Sequence, residues 1–387
     1  MHIIKGVPLV YHNKESNMSA LTERYCSIQT LILPVLEEEF GVFSTKAKEF
    51  ARLLEFARPG RFLKPVAAMT GRPACSRQKI LNAFFLKSVQ NISTVKALLE
   101  VLRGDSCLRR LCGWDFAGEI PSEATFSRAF SEFSESGVLD EIHGAVVKSA
   151  FKGRLAGHQS MDSTQIENRE RPVSSAGKSR QAPREKRKRG RKSKAEKAAM
   201  LAAEPVESRT ARQMRRTLEE NLSELPVACS WGGKRNSKGV TAFWSGYKLH
   251  ADVADGGVPV AALLTSASLH DSQAAIPLMQ KSAERVDSLY DLADSAYDAE
   301  DIRSFSRRLG HVAVIDANRR GGGGTPEMDP AKQVRYNERT AVERFNADLK
   351  DNYGGRDIRV RGWKKVFCHL MFGVVAIAVK QLFNMQC

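Results

Sequence analysis

The chain has 387 residues, against roughly 100–200 for a usual domain, so two or three folded units are expected and a small disulfide scaffold is excluded. Hydrophobic residues make up 42% and charged residues 27%, which excludes a wholly disordered or fibrous protein. Lys and Arg number 60 against 44 Asp and Glu, a net +16, and such an excess points to a polyanionic partner, nucleic acid before a membrane surface.

The longest strongly apolar run, Val366 to Val379, contains His369 and falls short of the roughly 20 residues that cross a bilayer. A buried helix is expected there, and no membrane partner. The first residues lack the small-residue cleavage site of an export signal, so a cytoplasmic protein is expected. Residues 1–27 are weakly patterned, and Met18 offers a second possible start. Seven cysteines, at 26, 75, 107, 112, 229, 368 and 387, form no CxxC pair and are odd in number, which argues against a disulfide framework and a structural zinc site.

In chain order, helical periodicity comes first. Ser44–Ala57, Arg77–Gln90, Ser93–Arg103, Glu123–Phe133 and Leu139–Lys152 carry apolar residues three and four apart, as in Ile80, Phe84, Phe85 and Val89. Ser93 and Ser122 are expected caps, and Gly137 is expected to separate the last two helices. Residues 28–152 therefore read as an all-helical N-terminal domain for DNA binding or dimerisation. Arg109, Arg110, Arg128 and Lys148 either face DNA, in the manner of a helix-turn-helix, or form a solvated charged face.

A basic insert follows. Arg169 to Glu220 holds 17 Lys and Arg against 7 Asp and Glu, a net +10 of the chain's +16. The run 184–194 includes Arg187, Lys188, Arg189, Arg191 and Lys192 with almost no large apolar residues, a composition that does not bury enough surface to fold alone. The insert, 169–226, reads as an arm lying along phosphates, with a solvated linker as the plainer alternative.

Beyond it the period changes to two. Strands are expected at Gln159–Ile166, Phe243–Val253, Pro259–Ser266, Ser288–Ala293 and His311–Ala317, and helices at Ser272–Val286, Asp298–Leu309 and Arg335–Asp351. Three strands joined as antiparallel neighbours, then two reached through helical crossovers, make one mixed sheet with helices on its faces. That is the order of an RNase H-like α/β domain, assigned to residues 153–387 with the basic insert interrupting it.

Three acids occupy matching places in this order. Asp162 lies in the first strand, Asp294 ends the fourth, and Glu343 sits inside the last helix. Adjacent strands would set the two aspartates side by side, and the helix would pack across the same edge. Like charges so close raise one another's pKa, and divalent cations relieve the repulsion. Hard oxygen ligands favour Mg²⁺, with Mn²⁺ as a substitute, and two ions about 4 Å apart suit phosphodiester cleavage. At 100° per residue, Tyr336, Arg339, Glu343 and Lys350 share a stripe of about 60° on one helix, while Val342, Phe345 and Leu349 form a separate apolar face.

The run Tyr336, Arg339, Glu343, Lys350 matches the Y-(2)-R-(3)-E-(6)-K signature of bacterial insertion-sequence DDE transposases. AspSerThr at 162 and AlaAspSerAlaTyrAsp at 293–298 resemble that family's first and second aspartate motifs. The resemblance covers roughly residues 155–385, and residues 75–150 are similar to the family's helical N-terminal domain. It implies Asp162, Asp294 and Glu343 as the catalytic, metal-binding triad with two Mg²⁺ ions, and Tyr336, Arg339 and Lys350 as phosphate-contacting neighbours. It also implies an enzyme that acts on double-stranded DNA, both terminal inverted repeats and target, as a synaptic homo-oligomer associated with the nucleoid. Lys248, Arg319 and Arg320 are further expected DNA contacts. Some relatives carry a large β-rich insertion before the glutamate helix; here only Asn318–Val334 fills that place, which puts a hairpin pathway in doubt.

Weaker candidates are His250 and His270, expected to be structural, and His369, expected in the core. Trp231, Trp244 and Trp363 are expected to pack rather than stack on bases. Two rival functions use the same fold: a plain metal-dependent nuclease, which cuts without joining, and a catalytically idle DNA-binding regulator, against which the presence of all three acids argues.

Overall fold

The computed structural model describes residues 20–64, 75–173, 207–235, 239–318 and 328–385. Helix α1 (Ala20–Ser27) runs through a π turn, Ile28–Ile32, into α2 (Leu33–Phe40). Helix α3 (Thr45–Ala57) begins at Ser44, whose hydroxyl accepts the Ala47 N–H at 3.2 Å. α4 (Arg77–Val89) is buried from Ile80 to Val89. α5 (Val95–Gly104) is capped by Thr94, one residue after the expected Ser93, with Oγ1 accepting from Ala97 N at 3.0 Å. A helix not marked in the sequence, α6 (Ser106–Cys112), follows. α7 (Glu123–Ser136) and α8 (Val138–Phe151) are separated by Gly137 at φ +70, a left-handed position that glycine adopts without strain.

β1 (Leu155–Glu167) opens the sheet. Short helices α9 (Arg209–Gln213) and α10 (Leu218–Glu224) precede β2 (Ser230–Arg235), β3 (Thr241–Ala254) and β4 (Val258–Ser266). α11 (Ser272–Ala283), β5 (Asp287–Ala293), α12 (Glu300–Arg308) and β6 (Val312–Ile315) complete the crossovers. The chain ends in α13 (Pro330–Tyr336), α14 (Thr340–Asn352) and α15 (Trp363–Asn384).

The sheet is mixed and six-stranded, in the order β2-β3-β1-β5-β6, with β4 also on β3. β3 pairs antiparallel with β1; along its other edge it takes β2 on its first half and β4 on its second. β5 lies parallel to β1, and β6 parallel to β5. β2 is not among the strands expected from the sequence. Glycines weaken strand signals, yet one is required here: a Cβ at Gly232 would sit 2.5 Å from the Trp244 ring that covers it.

Side chains alternate across the sheet, so it has two distinct cores. Leu249, Ala251 and Val253 of β3 join Val342, Phe345 and Leu349 of α14 and the apolar residues of α15 on one face. Met161, Ala261, Leu263 and Ala293 meet α11 and α12 on the other. The first core is continuous with the helical unit. Phe372 of α15 lies 4.9 Å from Phe85 and 5.7 Å from Phe84, ring centre to ring centre, and Phe383 contacts Tyr25 and Phe56. α15 is the one helix among the described residues long and apolar enough to span a bilayer, and 78% of its most apolar stretch is buried in the fold. His369 inside it hydrogen-bonds the Gly354 carbonyl at 2.9 Å, and burial pulls its pKa down to about 4.

Candidate active site

Two parallel strands set the first pair of acids. Met161 of β1 stands in register with Ala293 of β5, so Asp162 and Asp294, the next residue on each, emerge side by side. Asp162 is half-buried. Burial and the neighbouring Asp294 charge push its carboxyl up to about 6, opposed by the Ser163 N–H, Lys234 and Arg339. Asp294 uses Oδ1 to accept the Ala296 N–H at 2.9 Å, which fixes the turn Ser295–Tyr297. Beneath the pair lies Tyr297, fully buried; burial, then the charges of Asp271, Asp162, Asp294 and Asp252, hold its hydroxyl protonated.

The third acid comes from α14. The expected single helix over Arg335–Asp351 is instead two helices joined by a tight 3₁₀ turn, Asn337–Arg339, and it starts five residues earlier, where Asp329 caps Pro330. An Asp followed by Pro at the first helical position is a start signal present in the sequence. Backbone angles through the turn stay right-handed and helical, so Tyr336, Arg339 and Glu343 still meet. The Arg339 guanidinium sits 5.5 Å from the centre of the Tyr336 ring and 2.6 Å from Glu343 Oε1.

One turn past Glu343, Asn346 donates from Nδ2 to Asp162 Oδ2 at 3.1 Å, which holds α14 across the strand ends. Its buried Oδ1 has no partner among the described residues. Asn346 escaped the sequence reading; its i+3 spacing from Glu343 was the available signal. Arg339 lies at the centre of the arrangement. Its side chain is 19% exposed, and although burial acts against its charge, Tyr336, Glu343, Asp162 and Asp294 together raise its pKa.

Among the described residues no group of three or more His, Cys, Asp or Glu is arranged to hold a metal ion. The two aspartates are near neighbours, whereas Glu343, 51% exposed, is turned into the ion pair with Arg339. The Arg339 guanidinium, paired with Glu343, supplies positive charge that also acts on the two aspartates.

Cations gather further along α14. Burial lowers the pKa of Lys350, with Arg356 and Lys234 adding to the effect and Glu167 and Asp351 opposing it. Lys234, exposed on the unforeseen strand β2, thus acts on both Lys350 and Asp162. Lys248 differs from expectation. Asp162 pairs with Ala251, so even-numbered residues of β3 point to the opposite face, and Lys248 there donates to Asp271 at 2.9 Å and to the Leu269 carbonyl at 2.8 Å with only 14% of its side chain exposed. His250 shares that face, buried against Thr265 at 2.8 Å, its pKa pulled down to about 4 by burial. His270 bonds Ser272. Trp244 and Trp363 donate to backbone carbonyls inside the fold, while Trp231 is 61% exposed. Arg109 donates to the carbonyls of Leu102 and Arg103, and Arg110 pairs with Glu39 at 3.6 Å. Arg187, Lys188, Arg189, Arg191, Lys192, Arg319 and Arg320 lie outside the described residues.

The family model of the transposase DDE domain matches residues 210–379, and that of the Transposase domain (DUF772) matches residues 37–132. Both models are of transposases, and residues 210–379 match a DDE domain. The first match holds Asp294, Glu343 and the flanking Tyr336, Arg339 and Lys350, while Asp162 on β1 precedes it. The second match spans α3 to α6 and most of α7, the helical unit closed by α15. No curated protein and no solved structure matches the sequence.

Proposed function

We propose that this chain is the transposase of an insertion sequence, which cuts DNA at the ends of its element and joins the freed 3′-hydroxyl to target DNA. The observation that carries the reading is α14 lying across the strand ends: Asn346 binds Asp162 while Arg339, on the preceding turn, senses Asp162, Asp294 and Glu343 together. The strand order, with the two aspartates on neighbouring parallel strands, supports an RNase H-like catalytic domain.

The residues fit a hard divalent cation. All three acids offer oxygen donors, Asp162 is held in a proton-hungry state beside Asp294, and a guanidinium stands where positive charge is wanted. Asp162, Asp294 and Glu343 would hold Mg²⁺ or Mn²⁺, which supplies activation of the attacking oxygen and stabilisation of the leaving one.

The chain's own groups do the rest. Phosphate from DNA competes with Glu343 for Arg339, because a guanidinium binds phosphate in the same two-pronged way as carboxylate. Transfer of Arg339 to the DNA backbone releases Glu343 toward the aspartates, so substrate binding completes the site. Tyr336 donates its hydroxyl, kept protonated first by burial, and Lys350 with Lys234 holds the phosphates on the far side of the cut. Water displaces the 3′-oxygen at the element end; that 3′-hydroxyl then attacks a target phosphodiester and expels a second 3′-oxygen. No covalent protein intermediate is required. The basic insert, including Arg187, Lys188, Arg189, Arg191 and Lys192, would add sequence-independent affinity, and a homodimer would bring two ends together.

Incubation with Mg²⁺, a duplex ending in the element's 3′-hydroxyl and a supercoiled plasmid tests the reading. Joined products are expected. Cutting without joining would favour a nuclease, and binding alone a regulator.

A further inference from the structure

A second cationic cavity lies away from the carboxylates. It measures about 510 Å³ and is enclosed by α4, the start of α5, α7 and residues 353–372, where the helical unit meets the segment that follows α14. Lys87, Arg359, Arg361 and Lys365 line it. None of the four makes an ion pair or side-chain hydrogen bond among the described residues. Glu123 and Asp357 also line the cavity, which leaves four positive charges against two negative.

Lys87 is the telling residue. It is 8% exposed, on a helix whose other residues from Ile80 to Val89 are buried as well. An ammonium taken out of water without a carboxylate in direct contact is costly, and an apolar side chain would pack there at no such cost. Burial pulls its pKa down to about 8, with Arg359 adding and Asp357 opposing. The ten-residue helix α5 also opens on the cavity through Thr94 and Val95, so its N-terminal dipole adds to the positive field.

We propose that this cavity binds a phosphate group together with its nucleotide, on the DNA strand that the helical unit grips. Anion binding would satisfy Lys87 from the inside and Arg359 and Arg361 from the rim. The volume falls within the roughly 300–1,000 Å³ of sites that take an organic ligand, more than a bare phosphate needs, and Phe84, Phe130 and Phe372 offer an apolar wall for the sugar and base. Residues 353–362 connect α14, which carries Lys350, to α15, so one strand would run from the carboxylate site to this cavity. The inference rests on the DNA-binding reading above but uses residues that reading leaves idle.

The test is acylation of lysine amines in the full chain, read by mass spectrometry at Lys87, without DNA, with saturating duplex in EDTA, with a deoxynucleoside monophosphate, and with inorganic phosphate. Duplex is expected to lower Lys87 labelling several-fold. Arg359→Ala with Arg361→Ala, both exposed positions, should weaken duplex binding and reduce the slope of log affinity against log salt by about 1. Lys87→Met should weaken binding while raising Tm. Equal Lys87 labelling with bound duplex, or an unchanged salt slope, would overturn the proposal while leaving the transposase reading intact. Protection by inorganic phosphate or mononucleotide but not by duplex would assign a small-anion site and overturn the DNA assignment. Failure of the chain to bind duplex at any salt would remove both readings.

Discussion

The sheet carries two pairs of aspartates, one on each face, and they are treated in opposite ways. On the back, Asp252 and Asp291 are 1% and 2% exposed. Asp252 accepts the Ser282 hydroxyl, Asp291 accepts the Ser306 hydroxyl, and the His311 imidazole stands 3.1 Å from both Asp291 oxygens. Burial, with Asp291 adding, pushes Asp252 up to about 7. Hydroxyls and an imidazole from within the fold serve these two acids, although Asp252 Oδ1 has no hydrogen-bond partner among the described residues. On the front, Asp162 has one neutral donor from another element, Asn346, and the positive charges that act on it belong to side chains on other elements, Lys234 and Arg339. Burial alone therefore does not mark a site; acids that depend on a cation already bound elsewhere do.

Removing a front acid should have the largest effect. Asp294→Asn or Asp162→Asn is expected to lower cutting and joining by at least about 10³-fold while DNA affinity in EDTA stays near that of the parent. Retained joining by either variant would erase the distinction between the faces.

Stability should separate them next. A carboxyl whose folded pKa is raised binds more protons in the folded state, so its contribution falls as pH rises from about 4 to about 6 and stays low above that. Asn does not titrate. Asp162→Asn should therefore match the parent below pH 4 and exceed it above pH 6 by about 1–3 kcal/mol, visible as a Tm a few degrees higher in metal-free buffer. A pH-independent difference would show that Asp162 is not under this tension.

Arg339 offers a finer comparison. With the guanidinium removed, Glu343 is free and the aspartates lose their internal counter-charge, so Arg339→Gln should bind Mn²⁺ about three- to ten-fold more tightly in the absence of DNA, measured by the loss of the free-ion resonance signal. Unchanged or weaker binding would refute the exchange of Arg339 for a metal. Smallest of all, Asp252→Asn should leave strand joining within about two-fold of the parent; a large loss would make the back pair part of the chemistry.

The five strands expected from alternation all form, and their order follows from where hairpins and helices fall between them. Asp162 and Asp294 were readable because parallel strands set residues level once register is fixed. β2 escaped because Gly232 and Gly233 carry no strand preference, and their place depends on Trp244 and Phe243 opposite. Lys248, expected among the DNA contacts, lies on the face away from Asp162: period two divides a strand into two faces, but only pairing with β1 says which one holds Asp162. Asn346 and Lys234 are ordinary polar residues until folding brings them within reach of an acid distant in sequence.

Local patterning by itself determined the elements: caps, periodicity and turn residues act within a few positions, and they also put Tyr336, Arg339 and Glu343 on one surface of the chain. Only tertiary packing decided that α15 fills the helical unit's core, that Glu343 pairs with Arg339 instead of joining the aspartates, and that Lys87 is buried without an ion pair among the described residues. Those outcomes depend on volume, distance and competing charges among segments far apart in sequence, and no local pattern encodes them.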